Sequence, residues 1–266
     1  MDVRAIDLCA TTGRSRLHGA SAHAKLLAFA LVLAAVVLQS NVFVVAAVML
    51  VLVSLAVGMR LPLRRVLGLA AYPAVFSIVF ALAAAPDALT GALFVTRAVT
   101  ASLGAILLVF VTPYPQIFAP VQRVLPEVVG DALLMTYRSL FLLAEKFERL
   151  RIAIRLRSGL TRGHPVRAAR ASASALGSLV LYAFDLSQRE YDVMRIRGYE
   201  SRLRVTLPRS VSPVFDGALV GGAALVFCAA LSFRLAWATL TPFSWLLPVA
   251  ALLALLATVA WRLISR

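Results

Sequence analysis

The chain has 266 residues, of which 61% are hydrophobic, and its mean hydropathy is +0.89. Soluble domains are roughly 45–50% apolar, so this composition excludes a soluble globular protein and indicates an integral membrane protein. A net charge of +15 is also typical of nucleic-acid binders. Here the arginines flank apolar segments, and we interpret them as signals of membrane topology instead.

The first part of the chain predicts four membrane spans. An apolar run over residues 26–57 is interrupted by Gln39-Ser40-Asn41. As one helix the run is far too long for a ~30 Å hydrocarbon core, so we expect two short spans joined by a tight hairpin. Pro62 then breaks the helix. The third span is predicted over residues 66–85 and the fourth over residues 93–111, with Arg97 near its start.

The stretch 131–204 is an arginine-rich, mostly helical pattern between apolar segments. Apolar residues spaced three and four apart predict one face of an amphipathic helix over residues 131–157. A second such helix is expected over about residues 166–197, after the break at Gly163 and Pro165. Members of the first stripe are Leu140, Leu143, Phe147, Leu150 and Ile154. Glu145 and Arg149 form an acid-first pair four residues apart, the favoured order on a helix surface.

The two amphipathic helices have similar endings. The first reads Leu156-Arg157-Ser158 and the second Ile196-Arg197-Gly198, so in each an arginine is followed by a small residue. The simplest interpretation is that both helices carry solvated basic faces near lipid headgroups. Two basic helices with the same ending make that interpretation harder to hold.

Two further spans are predicted over residues 215–233 and 243–261. We therefore divide the chain into an N-terminal segment with four spans (1–112), a coupling-helix region (113–213) and two C-terminal spans (214–266). With the N-terminus inside, all but two of the 27 lysines and arginines fall on the inner side. The positive-inside rule then places both termini and region 113–213 in the cytoplasm.

Motifs for independent catalysis are absent from the sequence. There is no phosphate-binding loop, no His-Glu-x-x-His helix and no Gly-x-Ser-x-Gly elbow. We therefore predict no catalytic residue, and any energy source must come from another subunit. His18 and His23, together with Asp7 and Cys9, offer metal-ligating groups. We interpret them as polar residues ahead of the first span and predict no metal site.

Several motifs together resemble one known family. They are Ile6-Asp7-Leu8-Cys9-Ala10, Ser15-Arg16-Leu17-His18, Leu125-Pro126 followed by Thr136-Tyr137-Arg138, and the two arginine endings. In this order they are similar to the transmembrane T component of energy-coupling-factor (ECF) transporters, most of all its CbiQ-type cobalt/nickel branch. The first ending departs from that family's Ala-Arg-Gly-like signature, with Leu for Ala and Ser for Gly.

The resemblance implies an all-α membrane protein with about six transmembrane helices and two long amphipathic cytoplasmic coupling helices. It implies a non-catalytic subunit of an importer in a bacterial or archaeal plasma membrane. Two cytoplasmic ABC-type ATPase subunits, which hold the ATP and Mg²⁺, are the implied partners of the helix ends. A membrane substrate-binding subunit for cobalt or nickel is a third partner, and the branch admits a small accessory membrane subunit. The implied coupling residues are Leu156, Arg157, Ser158, Ile196, Arg197 and Gly198.

Other functions fit less well. A T component of a vitamin-type ECF importer and a membrane scaffold that docks a soluble partner both remain open. A self-contained secondary transporter would need inverted repeats and charged or broken helices at mid-membrane. A membrane-embedded lipid enzyme would need clustered acidic or histidine residues at the interface. The sequence shows neither pattern.

Overall fold

A computed structural model describes residue 11 and residues 17–59, 61, 63–121, 126–156, 165–199, 213–235 and 244–264. These residues form helices and turns and contain no β-strand, which confirms the all-α class. The chain divides into two compact units. The membrane unit comprises Met1–Ile117 and Leu207–Arg266, and the helix-pair unit comprises Phe118–Thr206.

The described part of the chain forms ten helices, numbered in chain order. They are α1 (Ala22–Leu38), α2 (Val42–Gly58), α3 (Leu63–Ala70), α4 (Tyr72–Ala84), α5 (Ala88–Val111), α6 (Tyr114–Val121), α7 (Glu127–Leu156), α8 (Pro165–Ile196), α9 (Pro213–Leu235) and α10 (Leu246–Ile264). Within the described residues, three segments are long and apolar enough to cross a membrane: Leu63–Ala84, Ala88–Val111 and Pro213–Leu235. Ala22–Leu38, Val42–Gly58 and Leu246–Arg262 are shorter apolar helices.

The break between α1 and α2 lies at the predicted hairpin, because polar side chains begin both helices. Ser21 caps α1, where its hydroxyl oxygen accepts a hydrogen bond from the Ala24 N–H at 3.2 Å. Asn41 caps α2, where its side-chain oxygen accepts from the Phe43 N–H at 2.9 Å. Residues 39–41 therefore end one apolar helix and start the next.

Two predicted span boundaries differ from the structure. The third span is two helical segments that meet at Ala71, since Pro73 in the first turn of α4 has no N–H to continue the hydrogen-bond ladder. The fourth span begins at Ala88, not at residue 93. The prediction that Arg97 lies near the helix start was therefore wrong, because Arg97 is the tenth residue of α5.

Helix α5 is the centre of the membrane unit and contacts α1, α2, α3 and α4. Its buried residues Leu103, Leu107 and Phe110 belong to the apolar core, which α1 and α2 also line. Gly104 allows close approach of α5 to α1, since a Cβ there would lie 3.3 Å from Cε2 of Phe29. Helix α9 packs against α1, and α10 packs against α2.

A polar cluster holds the turn after α1. Gln39 is 1% exposed and its Nε2 donates to the carbonyl of Ala230 in α9 at 3.2 Å. Arg97 of α5 donates to the carbonyl of Gln39, and Arg234 of α9 donates to the carbonyl of Leu38. Carbonyls at a helix C-terminus have no partner within the helix. A buried carbonyl such as that of Gln39 needs another donor, which Arg97 supplies, and Arg234 pairs with the more exposed carbonyl of Leu38.

Replacing Gln39 with Leu should destabilise the membrane unit. The change keeps the side-chain bulk but removes the donor to the Ala230 carbonyl, at a cost of about 1–3 kcal/mol. The apparent melting temperature of the detergent-purified protein should therefore fall. Ser40→Ala is the matched control, because that side chain is exposed and only its backbone N–H contacts Gln39. Equal melting temperatures for the two variants would contradict this role of Gln39.

Candidate coupling site

Helices α7 and α8 form an antiparallel pair. Contacts made by successive residues along α7 reach residues that lie progressively earlier in the chain, from just after the end of α8 back into α8. They are Asp131 with Tyr199, Arg138 with Glu190 at 3.8 Å, and Lys146 with the ring of Tyr182 at 4.9 Å. This register places the C-terminal end of α7 and the C-terminal end of α8 at opposite ends of the helix pair.

The two candidate coupling ends are therefore far apart. In this register Ile196 lies across from about residue 132 of α7, and Leu156 lies about 24 residues further along. At a rise of 1.5 Å per residue the two ends are separated by roughly 35 Å. The described ends, Leu156 and Ile196, therefore do not meet in one site. It gives the helix pair two separate ends of similar sequence.

The end of α8 is held by a Schellman motif. The N–H of Gly198 donates to the carbonyl of Arg195 at 3.2 Å, and the N–H of Tyr199 donates to the carbonyl of Met194 at 3.0 Å. Gly198 has φ +70°, a left-handed conformation that residues with a Cβ rarely adopt. Arg197 is the last residue before that glycine, so the cap fixes the backbone from which its side chain extends.

Arg197 and Ile196 are exposed together at this end. Ile196 is 85% exposed, and the Arg197 side chain is exposed as well. Within the described part of the chain, the Arg197 guanidinium has neither a hydrogen bond nor an ion pair. An unpaired guanidinium beside an exposed apolar side chain can bind a carboxylate and an apolar surface at once.

A buried carboxylate ties the segment after α8 to the start of α7. The hydroxyl of Tyr199 donates to Oδ2 of Asp131, which is 5% exposed. The two residues are 68 positions apart in the sequence. Sequence patterns missed this contact, because neither the spacing nor the residue types distinguish Asp131 from other acids. Its effect is to hold the capped end of α8 against α7.

The end of α7 is described as far as Leu156, which is 81% exposed. Arg157 and Ser158 lie outside the described residues. The sequence Arg155-Leu156-Arg157 nevertheless parallels Arg195-Ile196-Arg197. At both ends an exposed apolar residue stands between two arginines.

The predicted surface pair of α7 is confirmed, with Arg149 Nη2 lying 2.5 Å from Oε1 of Glu145. The apolar stripe of α7 is only partly covered, since Leu143, Leu150 and Ile154 are half-buried. Leu140 is 52% exposed and Phe147 is 46% exposed. These two side chains are therefore available to lipid or to another protein.

No metal centre is found in the described part of the chain, where no three His, Cys, Asp or Glu side chains gather closely enough to hold an ion. Four residues near the N-terminus carry metal-ligating groups in the sequence, and two of them, Asp7 and Cys9, lie outside that part. His18 and His23 lie just before and at the start of α1.

Comparison with known proteins agrees with the fold. The model of a family described as cobalt transport protein, CbiQ, matches residues 13–207. The match includes the first four predicted spans, the helix pair and both arginine endings. No curated protein matches the chain.

The substitution Gly198→Ala should destabilise the end of α8. A Cβ in the left-handed conformation costs about 1–2 kcal/mol, so the amides of Arg197, Gly198 and Tyr199 should exchange hydrogen faster. Gly177→Ala is the opposite control, because Gly177 lies within α8 and a Cβ added there would meet nothing within 4 Å. There alanine should stabilise the helix by about 0.5–1 kcal/mol. Hydrogen-exchange mass spectrometry measures both effects, and equal protection of the last turn in both variants would contradict the capping role.

Proposed function

Because the chain belongs to the CbiQ family of cobalt transport proteins, we propose that it is the transmembrane energy-coupling subunit of an ATP-driven importer. In this function the exposed ends of α7 and α8 bind ATPase subunits, and the membrane unit contacts a separate substrate-binding subunit. The chain itself is not an enzyme. ATP and Mg²⁺ are bound by the partners.

The observation that carries the proposal is the end of α8. Arg197 extends from a backbone fixed by two cap hydrogen bonds, and its guanidinium is exposed beside Ile196. A guanidinium stays charged at all physiological pH values and can donate two parallel hydrogen bonds to one carboxylate. A groove with an acidic residue and an apolar wall is therefore the complementary partner surface.

The distance between the two ends favours two ATPase subunits rather than one. Ends that lie roughly 35 Å apart on the helix pair are too distant to share one groove. If each end binds one ATPase, closure of the ATPases around ATP changes the distance or angle between the two grooves. The helices then move with them, and the differential contacts drive the change in the membrane.

The transported ion is proposed to be cobalt or nickel. The family description favours cobalt over a vitamin as the cargo. We propose that a separate membrane subunit selects the ion, and that a small accessory membrane subunit completes the complex. The scaffold alternative differs in one respect, since a scaffold would bind its soluble partner without ATP-dependent transport.

We place the chain in the plasma membrane of a bacterium or archaeon, with both termini and the helix pair in the cytoplasm. The support is the distribution of lysine and arginine, of which only Arg97, within the outer half of α5, and Arg234 fall on the outer side in this topology. Both of these arginines donate to carbonyls of the turn after α1. Their positions therefore have a structural reason that does not depend on topology.

Removing Arg197 should weaken ATPase binding. Loss of one partner of a buried charge pair costs roughly 3–5 kcal/mol, whereas loss of an exposed pair costs about 0–1 kcal/mol. Arg197→Ala should therefore reduce both ATPase co-purification and ATP-driven cobalt uptake. The double change with Arg157→Ala should release the ATPases, because two linked sites reinforce each other. Arg197→Lys should recover only part, since Lys lacks the bidentate fork.

The chain offers a matched control two residues before each arginine. Arg155→Ala and Arg195→Ala remove the same charge from the same last turns, which are exposed. Both should leave binding and uptake nearly unchanged. If the protein with both Arg157→Ala and Arg197→Ala takes up cobalt like the wild type, the coupling role is refuted. If the unchanged protein binds the ATPases but supports no uptake, the scaffold function is favoured.

The orientation can be tested by labelling single cysteines in a background where Cys9 and Cys228 are replaced by Ser. A cysteine at Asp87, which is exposed just before α5, should react with a membrane-impermeant maleimide on intact cells. A cysteine at Ser178, exposed on α8, should react only after the membrane is opened. The reverse pattern would show that the helix pair lies outside.

A further inference from the structure

Two arginines from different helices converge on the turn after α1. Arg97 of α5 donates to the carbonyl of Gln39, and Arg234 of α9 donates to the carbonyl of Leu38. The two carbonyls belong to consecutive residues, whose Cα atoms are about 3.8 Å apart, so the two guanidinium groups lie within roughly 10 Å of each other. Arg97 and Arg234 are called the arginine pair below.

The arginine pair has hydrogen-bond donors to spare. A guanidinium group carries five N–H bonds, and within the described part of the chain each of these two donates only to its carbonyl. The Nε of Arg97 is buried and out of a ligand's reach, whereas its Nη1 is neither buried nor bonded to a described residue. Arg234 is an exposed residue. Free N–H donors therefore reach the surface from two helices beside one turn.

The charge of the arginine pair is not balanced by a nearby carboxylate. Neither arginine forms an ion pair with any Asp or Glu among the described residues. Asp87 precedes Arg97 by ten residues, which corresponds to about 15 Å along a helix. A charged side chain within a membrane-spanning helix is costly unless it is paired or solvated. An anion would neutralise this charge, whereas an ammonium group would add to it.

The arginine pair lies at a membrane surface. Arg234 is the last residue but one of α9, which is long and apolar enough to cross a membrane. The end of such a helix reaches the headgroup region, whichever side of the membrane it faces. Apolar side chains next to the turn and to Arg234 are exposed, with Val37 58% and Leu235 79% exposed. A ligand with a phosphate and acyl chains can therefore contact both kinds of group.

The turn is fixed before any ligand binds. Gln39 is 1% exposed, its Nε2 donates to the carbonyl of Ala230 at 3.2 Å, and its Oε1 accepts from the Ser40 N–H at 3.0 Å. The two arginines are in turn held by carbonyls of this turn. Because these groups are already ordered, a ligand would lose little affinity to ordering them.

We propose that the arginine pair binds the phosphate of an anionic glycerophospholipid such as phosphatidylglycerol. The phosphate oxygens accept hydrogen bonds from both guanidinium groups, which form strong charge-assisted bonds with phosphate. The acyl chains extend past Val37 and Leu235. Phosphatidylethanolamine binds more weakly, because its ammonium group meets two positive charges and no described carboxylate. The coupling function proposed above does not use this site.

The test is selective retention of lipid by the full-length chain without partner subunits. The protein is reconstituted into nanodiscs of phosphatidylglycerol and phosphatidylethanolamine in equal amounts, transferred to a mild detergent and analysed by native mass spectrometry. The wild type should retain one phosphatidylglycerol in preference to phosphatidylethanolamine. Arg234→Gln removes a charged donor and should lower this retention about tenfold. Arg97→Gln should do the same.

Arg64→Gln is the matched control, because it removes the same charge from an exposed position in the first turn of α3, outside the turn after α1. It should retain phosphatidylglycerol like the wild type. The melting temperature of each variant shows whether it is folded.

A second pair of variants leaves both arginines and their carbonyl bonds in place. Leu235→Glu puts a carboxylate on the exposed residue next to Arg234, and Leu235→Gln puts a neutral group of the same size there. At about 6 Å and a water-like dielectric constant, the new charge should lower phosphatidylglycerol retention about threefold relative to Leu235→Gln.

The proposal is overturned if the wild type does not prefer phosphatidylglycerol, or if folded Arg234→Gln or Arg97→Gln retains it fully. It is also overturned if Leu235→Glu and Leu235→Gln behave alike, or if Arg64→Gln loses as much lipid as Arg234→Gln. Displacement of the lipid by inorganic phosphate would show a site for the free ion instead. If Arg234→Gln keeps the lipid but no longer co-purifies with a membrane subunit, the arginine pair binds a protein carboxylate and the lipid site is refuted.

Discussion

The membrane unit depends on one constraint: backbone carbonyls at the ends of its helices need donors from neighbouring helices where they are buried away from water. An unpaired backbone group in hydrocarbon costs several kcal/mol. At the end of α1 the carbonyls of Leu38 and Gln39 accept from Arg234 and Arg97, which come from α9 and α5. At the other end of α1, Lys25 donates to the carbonyl of Val111, the last residue of α5. Helix α1 is therefore fixed to its neighbours at both ends.

The helix pair is joined differently, by an ion pair with an exposed arginine and by one buried carboxylate. Arg138 and Glu190 are 3.8 Å apart with the arginine largely exposed, and exposed ion pairs contribute about 0–1 kcal/mol. The contact between Tyr199 and Asp131 is different, because its carboxylate is buried. The pair is thus most firmly joined next to the capped end of α8. An end that is held in this way can pass a displacement of Arg197 to the rest of the helix.

Local signals predicted much of this fold, and long-range contacts account for what they missed. Gln39-Ser40-Asn41 marked the hairpin and Gly198 marked the end of α8, because capping is encoded within a few residues. The position of Arg97 inside α5 could not be predicted from its neighbours in the sequence. The carbonyl of Gln39, to which it donates, is 58 positions away. Tyr199 and Asp131 are likewise joined only by the fold.

The two arginine endings differ in the residue that follows, and this difference bears on which features matter for docking. Gly198 takes a left-handed conformation that a residue with a Cβ adopts only with strain, and Ser158 stands at the corresponding place in the first ending. A shared function therefore cannot require the same glycine at both. The features common to both endings are the arginine and the apolar residue before it, and Leu156 and Ile196 are both more than four-fifths exposed. In the proposed function, recognition rests on this charged and apolar pair, and the glycine serves the geometry of one end only.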